Sequence, residues 1–290
     1  MSAVVGMIDF NKDGLMTDTA APTLTPEAKL AKFRERRNQA AVQQNGNLAL
    51  TNTQWVDAEQ TIWGVPGTWA PHDDGLTVTA TTDDNIVVDD VLVEGSAVVR
   101  SKSQENPSAI VFGDTVTGFV IQGPEGNHAL RVWDSNSPAI HEFGTIDAYA
   151  YNPDWVITAT FTPNPEGTTL GFEHIKDNGQ EREQPIPGDI AFTKDGVDYN
   201  LAAFKSGRAL QLVFADASNG VDTYSVGRFL FIAPNPDGTI ILDFNLAILP
   251  PCAFSYNFNC PMPPKQNRFS VAIGAGEKNV LKKDGSLLHE

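Results

Sequence analysis

Residues 224–248 read YSVGRFLFIAPNPDGTIILDFNLAI, and the spacing of their large apolar side chains decides the fold class. Side chains along a strand alternate between two faces, so Ile240, Leu242, Phe244, Leu246 and Ile248 form an apolar face and leave Asp243 and Asn245 on the other. Asn235-Pro236-Asp237-Gly238 is a turn signal between two such runs, and the segment reads as a β-hairpin. An even-length loop sets Arg228 opposite Asn245 and Leu230 opposite Asp243, so that Arg228, Asp243 and Asn245 share one face. The same register layers Phe229 and Phe231 over Phe244 and Leu242 on the core side.

Outward from this segment, short alternating runs broken by Asp-Gly, Asn-Pro and Gly-rich turns recur from Leu76 to Asp216. The expected fold is all-β, a mainly antiparallel barrel or sandwich. It carries one N-terminal helix: Thr25 is a good N-cap, Pro26 suits the first helical position, and the spacing of Leu30, Phe33 and Arg37 continues the helix to about Val42. Only a thin apolar stripe results, which suits packing on a sheet edge. Residues 1–24 read as a tail, 25–138 as the helix with a first β unit, and 139–290 as a second β unit, or the last two as one continuous domain. After the hairpin, Pro250-Pro251 and Pro261 to Pro264 enforce extended, unpaired chain. A last strand is expected at Arg268 to Ile273, with Phe269, Val271 and Ile273 inward and Arg268 outward.

The chain has 290 residues, 41% of them hydrophobic, and a formal net charge of −16. That charge argues against nucleic acid or an anionic membrane as the main partner, since both would be repelled over most of the surface. No apolar stretch is long enough to cross a bilayer, and the N-terminus lacks a charged region followed by an apolar one, so a cytoplasmic location is expected. The five histidines, His72, His128, His141, His174 and His289, have no ligand-like spacing, and Cys252 and Cys260 lie eight residues apart without a Cys-x-x-Cys pattern. No metal site is expected from them. The two thiols can be buried and inert, bridged, or reactive beside a spatially close base. Asp9 to Gly14 matches the first half of a calcium loop, but Ala20 stands where the loop needs a bidentate glutamate. Nucleophile-elbow, phosphate-loop and dinucleotide signatures are missing, and the residues identify no cofactor.

Polar residues inside the apolar C-terminal pattern mark the candidate site. Arg228, Asn245, Asn267 and Arg268 are candidate binding residues for a small polar or anionic molecule, with Asp243 or Glu277 as general base. The alternative is architectural: a cross-strand ion pair between Arg228 and Asp243, and Asn267 capping a turn.

The run Gly227-Arg228-Phe229, Leu242-Asp243-Phe244-Asn245, Pro250-Pro251-Cys252-Ala253-Phe254, Cys260-Pro261, Pro263-Pro264, Asn267-Arg268 and Ala275-Gly276-Glu277-Lys278 resembles a prokaryotic family defined as a domain of unknown function, DUF1684. Further segments in its style are Lys32 to Arg37, Leu130-Arg131-Val132-Trp133-Asp134 and Asp154 to Ala159, which extend the resemblance to about Leu30 and add Arg131 to the candidate ligand-binding residues. The sequence departs at Ala247-Ile248-Leu249, where family members often carry Tyr-Asn before the double proline. The resemblance implies a shared fold and no particular activity. Two readings follow: a small-molecule-binding or hydrolase-like protein with a concave polar site, or a noncatalytic protein in which the motif is a filled, dry lock.

Overall fold

The computed structural model describes residues 24–289. The stretch Asp9 to Gly14 lies outside them. The helix Pro26–Ala41 starts as its sequence dictates: the Thr25 hydroxyl accepts from Ala28 N–H at 3.3 Å, with Pro26 in the first turn. Only Leu30 and Ala41 are buried along it. No helix among the described residues is long and apolar enough to cross a membrane.

The remainder is mainly antiparallel sheet. A six-stranded sheet runs in the order Leu50–Trp55, His128–Asp134, Val116–Gln122, Ile110–Phe112, Ile86–Val88, Val91–Leu92, and a four-stranded sheet joins Gln60–Thr61, Thr68–His72, Gly75–Ala80 and Gly95–Arg100. Their facing side chains, among them Trp69, Leu76, Val78, Ile86, Val120, Leu130 and Val132, make one buried cluster. In His128–Asp134, Leu130 and Val132 therefore point into this core, and alternation sends Arg131 to the sheet's other face.

A second cluster gathers between two further sheets. One has the order Val197–Ala202, Gly188–Lys194, Val156–Pro163, Thr239–Asp243; the other has Phe204–Ser206, Ala209–Phe214, Arg228–Ile232. Phe244 sits at its centre, edge-on to Trp155, Phe214 and Phe269 with ring centroids 5.8, 5.1 and 5.7 Å away. Each such pair adds about 0.5–1.5 kcal/mol beyond its burial. The sheets are open and sandwich-like. Among the described residues none closes into a barrel.

The expected hairpin does not form. The turn is present, with Asn235 N–H donating to Thr239 O at 2.8 Å and Gly238 at φ 83°. Its two arms, however, enter different sheets: Arg228–Ile232 pairs with Ala209–Phe214, and Thr239–Asp243 pairs with Val156–Thr160. Leu230 and Leu242 then meet across the layer between sheets, in one apolar cluster, instead of lying within one ribbon. The facing of the first arm is also the reverse of the expected one. Arg228, Leu230 and Ile232 are buried on the core side, while Phe231 is 46% exposed.

Beyond Asp243 the strand stops in a short 3-10 turn, Phe244–Leu246, capped by the Asp243 carboxylate. The expected strand from Arg268 is a single bridge to Ala215, with Phe269 and Ile273 buried but Val271 exposed. Regular pairing resumes at Glu277–Lys282, against Phe143–Ala148.

Candidate functional site

Arg228 and Asp243, expected to face each other, are separated into two sheets and make different partnerships. The fully buried Arg228 guanidinium ion-pairs with Asp216 at 2.6 Å. It also donates to the backbone carbonyls of Ile273 at 3.0 Å, Glu277 at 3.3 Å and Ala275. Asp216 lies two residues beyond the end of the strand at Phe214, whose ring lies 5.2 Å under the guanidinium. Only Nε of Arg228 lacks a partner. Gly276 makes this arrangement possible: its φ is 83°, and a Cβ there would stand 2.7 Å from the Phe244 carbonyl oxygen.

The other motif residues are equally committed. Asn267 is wholly buried; its side-chain oxygen accepts from Ala202 N–H at 2.9 Å and its amide donates to the carbonyls of Ala202 and Val213, both at 2.8 Å. Glu277 accepts from Arg37 Nε at 2.7 Å and Nη2 at 3.0 Å, and from Leu249 N–H at 2.7 Å. Arg37, spaced as part of the helix's apolar stripe, thus docks the helix by charge. Asn245 is fixed on Asn152, accepting from its N–H at 2.7 Å and donating to its carbonyl at 2.9 Å. Asp243 accepts from the backbone and side chain of Asn245 and lines a cavity of about 290 Å3 under the helix start with Tyr151 and Lys29. Arg268 is exposed and stands apart from the group.

Cys252 and Cys260 are free, buried thiols. Cys252 N–H donates to Cys260 Sγ at 3.3 Å. The hydrogen bond to Cys252, with burial, pushes the Cys260 thiol up, and receiving that bond holds Cys252 below the usual thiol range.

Arg131 is placed quite differently. With Thr53, its register partner, it faces a cavity of about 860 Å3. Across that cavity stand the loop and hairpin bearing Lys176, Asp177 and Arg182, and the proline loop contributes Asn257 and Asn259. Asp177 is bound by Arg182 at 2.5 and 2.7 Å and by the Asn259 amide at 2.8 Å, and the Arg182 bond holds its carboxyl below the usual range. Arg131 and Lys176 have no carboxylate partner among the described residues. Arg131 Nε and Thr53 Oγ1 are buried without a hydrogen bond. The Arg131 guanidinium rests 5.3 Å from the Phe258 ring centroid. Burial lowers the pKa of Arg131, and burial with the neighbouring Arg131 charge lowers that of Lys176.

Residues 141–278 match the family described as "Protein of unknown function (DUF1684)". The chain belongs to this family. The DUF1684 span takes in every motif residue of the C-terminal lock, whereas Lys32 to Arg37 and Leu130 to Asp134 precede it. The large cavity straddles that boundary, with Lys176, Asn257 and Asn259 inside the DUF1684 span and Thr53, Trp55 and Arg131 before it. An uncharacterized protein of Haloarcula marismortui, solved by NMR in solution, is similar at 32% identity over 47% of this chain and 77% of that one, with a TM-score of 0.39. No curated protein matches.

Three residues that organise these sites are not among the candidate site residues that the sequence offers: Asp216, Lys176 and Arg37. Asp216 lies just beyond the mostly apolar strand Ala209–Phe214, which is the one local signal available. Lys176 and Arg37 gain their roles only from neighbours distant in the chain.

Proposed function

We propose that the protein binds a small anionic molecule in the cavity between the six-stranded sheet and the 169–185 hairpin, and that the C-terminal motif is architectural. One observation carries the reading: Arg131 and Lys176 border the same cavity, near enough for the charge of one to lower the pKa of the other, with no carboxylate partner among the described residues, in a chain with net charge −16. A buried, unpartnered Nε costs about 1–3 kcal/mol, which an anion accepting from that N–H would recover. Hydrolysis has less support. Both oxygens of Glu277 accept hydrogen bonds, Asp177 is held by Arg182, and Asp243 caps its own turn, so none of these three is a free general base.

Thermal unfolding with inorganic phosphate at constant ionic strength tests the reading. At roughly thirtyfold over Kd the native state should gain about 2 kcal/mol. The Arg131→Gln, Lys176→Gln double variant should fold and lose that gain; an equal gain in the variant would remove the site from consideration.

A further inference from the structure

We infer that the ligand of this cavity is a polyhydroxylated molecule with a single anionic group, a sugar acid or a sugar monophosphate; the inference rests on the anion reading above and adds the chemistry of the rest of the molecule. Three features of the wall carry it.

Carboxamides are abundant in the lining: seven of the nineteen lining residues are Asn or Gln, as many as are charged. A carboxamide offers donors and an acceptor in one plane, which matches a hydroxyl that must both give and receive, and a bare anion has no use for the acceptors. Asn257 and Asn259 are partly committed to the backbone of Thr51 and Lys176, but Gln122, Gln180 and Gln184 make no side-chain hydrogen bond among the described residues.

Trp55 supplies an aromatic platform. It is 39% exposed at the end of its strand and lines the cavity. Its ring occupies the space above Gly123, where a Cβ would stand 2.8 Å from Cη2, so the glycine lets the indole settle on the backbone in one orientation. An indole held in this way presents a rigid, amphipathic surface suited to the C–H face of a sugar ring.

Charge is mixed around the site. Arg131, with its Nε buried, and Lys176 border the cavity, as do the exposed Glu125, Glu181 and Glu183, the last two on the hairpin face opposite Arg182. A ligand with one anionic group can place it on Arg131 and Lys176, while the surrounding carboxylates repel a second such group.

Calorimetric titration at constant ionic strength with inorganic phosphate, glucose 6-phosphate, acetate, glucuronate and glucose decides the matter. At least one sugar anion should bind about tenfold or more tightly than its sugar-free counterpart, and the identity of that pair separates a phosphate from a carboxylate source. Trp55→Ala should abolish the advantage and keep the affinity for the bare anion. Sugar anions no tighter than phosphate or acetate would overturn this inference and leave the anion site standing. An advantage that survives Trp55→Ala would overturn it as well. Failure of all four anions to bind would overturn both readings together.

Discussion

Two arginines on sheet strands of the same protein meet opposite fates. Arg228 is sealed between layers with both terminal nitrogens engaged by Asp216 and backbone carbonyls, whereas Arg131 is held at a cavity wall with no carboxylate partner among the described residues; the Nε of each lacks a hydrogen bond. The first environment uses its charge to fix where Gly274 to Lys278 crosses the core. The second leaves its charge available. A buried polar group in the midst of apolar sequence therefore indicates a constraint, and only its partners tell whether that constraint is mechanical or chemical.

The largest effect should come from breaking the sealed pair. Asp216→Asn leaves the Arg228 charge buried and uncompensated, at a cost of about 3–5 kcal/mol in urea unfolding. Replacing both partners by apolar residues of similar volume should cost less than either single change; a double variant as unstable as the sum would mean that the two side chains act independently. Asn267→Ala comes next. It orphans the backbone N–H and carbonyl of Ala202 and the carbonyl of Val213, and should lower stability by about 1–3 kcal/mol without changing anion-induced stabilisation.

A smaller effect is expected at the cavity wall. The Asp177 carboxyl is held below its usual range chiefly by its hydrogen bond from Arg182, so its contribution is present above the ordinary carboxylate pKa and disappears as pH falls through the lowered native value. Because the Arg182 side chain is about a third exposed, that contribution should be at most about 1 kcal/mol. The stability difference between wild type and Asp177→Asn should therefore shrink between pH 6 and roughly pH 2. A difference constant over that interval would show that the pair adds nothing.

Much of the fold was legible because strand alternation and turn chemistry are local. The helix start at Thr25-Pro26, the turn at Asn235 to Gly238, and the inward facing of Ile240, Leu242 and Phe244 all follow from residues a few positions apart. Which strand pairs with which did not follow. Period-two alternation is the same whether the two arms of a turn join in one sheet or part into two, and the aromatic pair Phe229 and Phe231 suggests an inward facing that the buried, paired Arg228 reverses. The site was legible only in fragments. Arg131 entered through family resemblance, but its significance lies in an absent counter-ion and in Lys176, forty-five positions away. Local patterns carry no record of either.

Urea unfolding of Arg228→Met and Arg131→Met, measured side by side without added anions, tests the contrast most directly. Methionine keeps much of the aliphatic stem in both places and deletes the charge. Removing Arg228 should cost about 3–5 kcal/mol by leaving Asp216 buried alone. Removing Arg131 gives up a stacking contact worth about 0.5–1 kcal/mol but relieves an unpartnered buried donor costing about 1–3 kcal/mol, so stability should hold or rise. A loss at Arg131 comparable to that at Arg228 would contradict the account, because it would show Arg131 to be a second structural lock.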